Sequence, residues 1–299
     1  MRFMYAYPET NGTDRDMLDA GPIADVARTA EAAGFGGFAF TEHPSPGARW
    51  LASGGHQSLD PFVALSYVAA VTSSMKLLTY LSVLPYRNPL LLAKTAATVD
   101  KLSGGRFILG VGTGYLKGEF RALGVDIEER NELFDEALDV MPLHWSGEPF
   151  SYKGRHFEAV ECIGRPLPAQ QPIPIWIGGN AKVTRTRVAE RAQGWMPLLV
   201  PPEVAKTTRS PIVRGLDEVV ALMKPMQEAA AARGVELDLV FPYADRSLGA
   251  APAKDADRHR ESFAELEAAG VTWVMLSGST HDHAATSAFI EEFGSTYLQ

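Results

Sequence analysis

Short apolar runs rich in β-branched and aromatic residues alternate along the chain with longer stretches whose apolar positions recur at helical spacing. The strand-like runs fall at residues 2–7, 37–41, 76–83, 106–111, 173–177, 194–198, 237–241 and 271–276. Helical patterns follow them near 21–33, 60–72, 89–102, 129–145, 181–192, 214–233, 255–269 and 281–294. Eight strands, each followed by a helix, predict βα units around a parallel sheet. Spread over 299 residues, the roughly 37 residues per unit suit a (β/α)8 TIM barrel. Several helix stops are legible. The pattern at 89–102 runs into Ser103-Gly104-Gly105, and both Ala33-Gly34-Phe35 and Ala269-Gly270-Val271 read as helix end, glycine stop and next strand. Residues 147–172 form an insertion before the fifth predicted strand. It carries a hairpin-like alternation around Lys153-Gly154 and an extended exit marked by Pro166, Pro168, Pro172 and Pro174. No stretch resembles a linker between two cores, so one domain over residues 1–299 is expected.

Barrel sites are built from the loops that follow the strands, which directs attention to the long irregular stretches at 42–59, 199–213 and 242–254. Composition narrows the classes of partner. The 28 Lys and Arg against 36 Asp and Glu give a net charge of −8 with no basic run, which disfavours nucleic acid as a partner. No apolar stretch reaches the length of about 18 residues that a membrane span needs, and the amino terminus lacks a leader-like apolar core, so no membrane and a cytoplasmic location are expected. Cys162 is the lone cysteine, which excludes an intrachain disulfide and a multi-cysteine metal site.

Four segments are candidates for chemistry. Thr41-Glu42-His43-Pro44 ends the second predicted strand, where the His43 imidazole can donate a hydrogen bond or move a proton; the same position also suits a histidine that only braces its loop. Strand alternation turns Glu42 away from His43, toward a rim contact. Gly110-Val111-Gly112-Thr113-Gly114-Tyr115 ends the fourth strand and allows close backbone approach to a ring or phosphate, or simply a tight barrel rim. Trp176-Ile177-Gly178-Gly179-Asn180-Ala181-Lys182 runs from strand into helix. The amides of Gly178, Gly179 and Asn180 then form a phosphate seat, with Lys182 or Arg185 as the nearest cation, against the plainer reading of a glycine turn before a solvated basic helix. The segment 79–89 is either the wall under an aromatic cofactor or barrel core, and Arg87 reads as a loop anchor. His281-Asp282-His283 reads as a helix start capped by Thr280 rather than a metal site, since positions i and i+2 of a helix do not converge on one ion and no HExxH motif is present. The strand ends offer no evident lysine for a barrel aldolase or isomerase, and no GxSxG elbow exists.

Together these residues resemble the bacterial luciferase-like monooxygenase superfamily, and within it the actinobacterial branch of coenzyme F420-dependent oxidoreductases. The likeness is carried by Arg87-Asn88-Pro89 through Leu92-Ala93-Lys94, by Asp100-Lys101-Leu102-Ser103-Gly104-Gly105-Arg106, by Gly110 to Gly114, and by Pro174-Ile175-Trp176-Ile177-Gly178-Gly179. It implies a (β/α)8 barrel with F420, or alternatively FMN, across the mouth, a small-molecule substrate and a homodimer. It also implies a β-bulge, often with a non-prolyl cis peptide, near Tyr80-Leu81, and a functional histidine at His43. Two departures are noted. The usual Asp-His pair is Glu42-His43 here, and Tyr115 follows the strand-end glycines.

Overall fold

The structure, a computed structural model, describes residues 1–278 and 282–298. Eleven strands are seen among them. They are β1 Arg2–Ala6, β2 Gly37–Phe40, β3 Lys76–Thr79, β4 Ser82–Val83, β5 Phe107–Gly112, β6 Phe150–Lys153, β7 Glu158–Cys162, β8 Ile175–Gly178, β9 Gly194–Met196, β10 Asp238–Pro242 and β11 Trp273–Ser277. All except β6 and β7 lie in one parallel sheet of order β3-β2-β1-β11-β10-β9-β8-β5-β4, closed by the pairing of β3 with β5. The result is the expected eight-stranded barrel, with the third predicted strand interrupted at a cis peptide between Tyr80 and Leu81 and resumed as β4.

The helices are α1 Ile23–Ala32, α2 Ala48–Ala52, α3 Pro61–Val71, α4 Pro89–Leu102, α5 Lys117–Ala122, α6 Arg130–Ser146, α7 Lys182–Arg191, α8 Pro202–Thr208, α9 Leu216–Ala231, α10 Arg246–Ala250, α11 Ala256–Ala268 and α12 His283–Tyr297. The eight longer ones match the helical patterns in the sequence. The short α2, α8 and α10 correct the reading of their loops as irregular, and α5 was not anticipated. Five to seven residues are too few for a 3.6-residue period to register. Helix starts have local causes: Asp60 accepts the Phe62 and Val63 amides ahead of Pro61 in α3, and Asn88 accepts those of Leu90 and Leu91 ahead of Pro89 in α4. Thr280 and His281 lie outside the described residues. Asp282 caps α12 by accepting the Ala285 amide at 3.0 Å.

Alternation along the strands separates two apolar layers. Met4, Leu78, Ile108, Trp176, Met196, Val240, Trp273 and Met275 fill the barrel, while Tyr5, Phe38, Leu77, Phe107, Ile177 and Val274 meet the helices outside. Each such side chain contributes about 1.5–3 kcal/mol on burial. The stretch 100–106 is a clamp at the end of the barrel where the strands begin. Fully buried Asp100 accepts the Ala169 and Gln170 amides at 2.7 and 2.8 Å and the Gln170 Nε2 at 2.7 Å, which ties down the proline-rich return. Arg106 donates to the carbonyls of Ala69, Thr72, Met75 and Ser103 at 2.7–3.1 Å, which closes the carboxyl end of α3. The insertion holds the antiparallel pair β6–β7. Its tip is seated on α6, where the Glu136 carboxylate accepts the amides of Arg155, His156 and Phe157.

Candidate active site at the barrel mouth

The strand ends β2, β3, β5, β8 and β9 surround a cavity of about 340 Å³. His43, Tyr80, Leu81, Gly112, Thr113, Gly114, Gly178, Gly179 and Asn180 all line it, so residues up to 137 positions apart in the chain share one site. Lys182 and Arg185 are not among the lining residues.

His43 lies three residues beyond the end of β2. Its amide donates to Ser58 Oγ at 2.6 Å, which pins the loop, and its side chain is 10% exposed. The imidazole lies against Trp50, with ring centroids 4.5 Å apart, and edge-on to His56 at 4.8 Å and Tyr115 at 6.0 Å. Its Nδ1 is 3.2 Å from Glu119 Oε2. Glu119 is brought there by α5 and is 1% exposed; it also accepts the Tyr86 hydroxyl at 3.0 Å and the Ser45 amide at 3.2 Å. Burial, reinforced by Glu119, raises Tyr86 well above the usual phenol range, so it stays a donor. Burial, again with Glu119 and then Glu9 adding, raises Tyr115 to about 12.

Glu42 does turn away from His43. It is buried, accepts the Val83 amide at 2.7 Å and the Ser82 hydroxyl at 3.1 Å, and is ion-paired with Arg87. Burial raises its pKa, against the opposing pull of Arg87 and these hydrogen bonds. Arg87 in turn reaches Asp60 at 2.9 Å. Glu42 thus joins the end of β2 to the resumed strand β4 and supports the floor of the cavity, and Arg87 is the loop anchor its sequence position suggested.

That floor is Leu81. A Cβ on Gly112 would lie 2.4 Å from Leu81 Cδ1, and one on Gly178 would lie 2.2 Å from Leu81 Cδ2. The space left by these two glycines is therefore filled by the leucine methyls. Gly114 has a different reason: its φ of +75° is left-handed, and it turns the chain from β5 into α5.

Beyond β8, the Gly179 amide donates to the Met196 carbonyl at 3.0 Å, and its carbonyl accepts Trp195 Nε1 at 2.8 Å. The Asn180 side chain accepts the Leu198 amide and donates to the carbonyls of Leu198 and Pro211, holding the β9 loop over the cavity. The first intrahelical bond of α7 is Arg185 to Ala181, and Ala181 provides no side-chain cap. The amides at 182–184 accordingly lack intrahelical partners. Thr184, 6% exposed, lines the cavity beside them, with Arg209 and Ser210 on the facing loop.

Sequence reading missed Glu119, His56, Thr184, Arg209 and Ser210. Only Glu119 had a usable signal, an acid beside Phe120 five residues after Gly114 of the glycine-rich strand end. Among the described residues, no group of three or more His, Cys, Asp or Glu side chains is arranged to hold a metal ion, and no helix is long and apolar enough to cross a membrane. A second cavity of about 590 Å³ adjoins the first across Tyr80, between β1, β10 and β11.

A family model described as luciferase-like monooxygenase matches residues 1–239. An uncharacterized protein of Mycobacterium tuberculosis is 31% identical over 256 residues, which is 77% of this chain and 90% of its own length. An FMNH2-dependent dimethylsulfone monooxygenase of Pseudomonas putida is 28% identical over 65% of this chain and 55% of its own length. Among solved structures, a monooxygenase from Streptomyces bottropensis superposes with a TM-score of 0.77 at 18% identity, covering 100% of this chain and 99% of that one. An F420-dependent secondary alcohol dehydrogenase in complex with an F420-acetone adduct gives a TM-score of 0.73 at 17% identity, with the same coverage of each chain.

Proposed function

The chain belongs to the luciferase-like monooxygenase family, and from this premise we propose that it is an oxidoreductase moving hydride between coenzyme F420 and a small organic substrate. The observation that carries the reading is the joining, in one cavity, of a buried-carboxylate-paired histidine, an apolar floor and an open helix start. These features fit a flat ring bearing a phosphorylated side chain. Leu81 and Tyr80 offer the ring an apolar face. The amides at 182–184, the Thr184 hydroxyl and Arg209 offer the phosphate donors and a positive charge. With the Gly179 amide already bonded to Met196, this seat lies one turn further into α7 than the glycines themselves, and Arg209 takes the place expected for Lys182 or Arg185.

When bound, F420 supplies a ring carbon that accepts or donates hydride. His43 lies on the cavity wall, where its imidazole exchanges a proton with the substrate atom whose charge changes. Trp50 and His56 pack its ring and keep water from its sides. FMN is the second reading. It is favoured by the dimethylsulfone monooxygenase relative, and the same floor and helix start serve either ring.

We also assign the α3 face to a homodimer contact. That helix is apolar nearly all round, yet Val63 and Tyr67 are 71% and 54% exposed, and Leu91 on the neighbouring α4 is 70% exposed.

The test is anaerobic mixing of the enzyme with reduced F420 and a panel of electron-poor alkenes, ketones and quinones. Return of the oxidised cofactor absorbance supports hydride transfer, with His43→Ala slower by about 10²-fold at near-normal cofactor affinity. No oxidation across the panel, or a His43→Ala enzyme as fast as the wild type, contradicts the reading.

A further inference from the structure

The contact between His43 and Glu119 determines more than where the ring sits. Glu119 is 1% exposed, and its two oxygens face three polar groups: the Ser45 amide, the Tyr86 hydroxyl and His43 Nδ1. A backbone amide can only donate, and the hydroxyl is oriented as a donor by the carboxylate beside it. A carboxylate offers acceptors alone, so the nitrogen facing it must carry a proton or be left opposing a lone pair at 3.2 Å in a buried setting. Neutral imidazole has one proton. If Nδ1 holds it, Nε2 is the bare nitrogen, and among the described residues Nε2 has no bonded partner. Rotation of the ring is opposed by Trp50 on one side and by the edges of His56 and Tyr115.

We propose that Glu119, held by Tyr86 and the Ser45 amide, is a positioning residue that keeps the Nδ1–H tautomer of His43 and so leaves Nε2 as the proton-exchanging atom of the cavity. What Nε2 then does rests on the redox reading above; the tautomer itself does not. For a substrate with an H–C–O–H donor group, F420 would supply the acceptor for the C–H electron pair, which would leave as hydride. The O–H proton passes to Nε2, and the carbon–oxygen double bond forms. In the reverse direction the imidazolium returns that proton as hydride arrives. Without Glu119 the tautomers equilibrate, and an Nε2–H ring cannot take the proton.

The experiment is a long-range ¹⁵N–¹H correlation spectrum of the uniformly labelled protein at pH 8, without and with F420, with the His43 signals assigned by their loss in His43→Gln. The wild type is expected to show protonated Nδ1 and bare Nε2 in both samples. In the near-isosteric Glu119→Gln variant the amide can donate to Nδ1. Its His43 is expected to shift toward Nε2–H, with kcat lower by about 10²-fold, cofactor affinity unchanged within about twofold, and the basic limb of the pH profile displaced. A wild-type His43 protonated on Nε2, an unchanged tautomer in Glu119→Gln, or unchanged turnover in a variant whose tautomer has shifted would each overturn the proposal. Absence of cofactor binding would instead remove the redox reading and leave the cofactor-free spectra to decide the tautomer.

Discussion

Arg87→Met isolates the buried ion pair under the cavity floor. The substitution keeps most of the aliphatic stem that covers Phe62, whose ring lies 5.1 Å from the guanidinium carbon, and removes the guanidinium with its charge and donors. Glu42, 2% exposed at its side chain, is then left with the Ser82 hydroxyl and the Val83 amide but no cation. Breaking a buried pair by deleting one partner costs about 3–5 kcal/mol, and the two surviving hydrogen bonds place this case near 3. Asp60 also loses a partner, but it is half exposed and adds under about 1 kcal/mol. The pH dependence has a definite sign. Burial already holds the folded pKa of Glu42 above its ordinary 4.5, and loss of Arg87 raises it further. Between those two values the folded state binds more protons than the unfolded state, so stability falls as pH rises through that window. The penalty of Arg87→Met is therefore largest at pH 8 and shrinks toward pH 5 as Glu42 takes up a proton. Urea unfolding of both proteins at pH 8, 6.5 and 5 reads this directly. A penalty below about 1 kcal/mol at pH 8, or one constant across the three pH values, would refute the assignment of Glu42 as a buried carboxylate that needs its cation.

Arg209→Ala is expected to weaken binding of F420 or FMN about tenfold, equivalent to about 1.4 kcal/mol, while Lys182→Ala changes it less than about twofold. Equal effects in calorimetry would move the phosphate away from the β9 loop. Tyr67→Asp, which puts a charge on the exposed face of α3, is expected to halve the mass seen by sedimentation from that of a dimer to 32.4 kDa. A wild type already sedimenting as a monomer would remove the dimer assignment.

The barrel was legible because its evidence is periodic: eight apolar runs separated by eight helical patterns leave few other closed arrangements. The interruption at Tyr80-Leu81 was not legible from periodicity, since residues 76–83 read as one strand, and it was anticipated only through the family resemblance. The glycines drew attention for a physical reason that proved incomplete. They do open the barrel mouth, but the room at Gly112 and Gly178 is taken by Leu81, a neighbour no local pattern reveals. His43 could be placed because it sits at a strand end, whereas its partner Glu119 is 76 residues away on a six-residue helix. The cations were harder still. Lys182 and Arg185 follow the glycine pair in sequence, yet the cavity is lined instead by Arg209, from a loop whose course is set by Asn180 gripping Leu198 and Pro211. Contacts of this kind arise from closure of the barrel, and a single chain read along its length does not contain them.

We propose that the mouth of this barrel binds a phosphorylated tricyclic redox cofactor, F420 ahead of FMN. Side-by-side isothermal titration of the protein with each of the two distinguishes them. One-to-one binding of F420 is expected, tighter than that of FMN and weakened by Arg209→Ala. Tight FMN binding with no heat from F420 would reverse the cofactor assignment, and no binding of either at saturating concentration would rule out a cofactor of this kind at the barrel mouth.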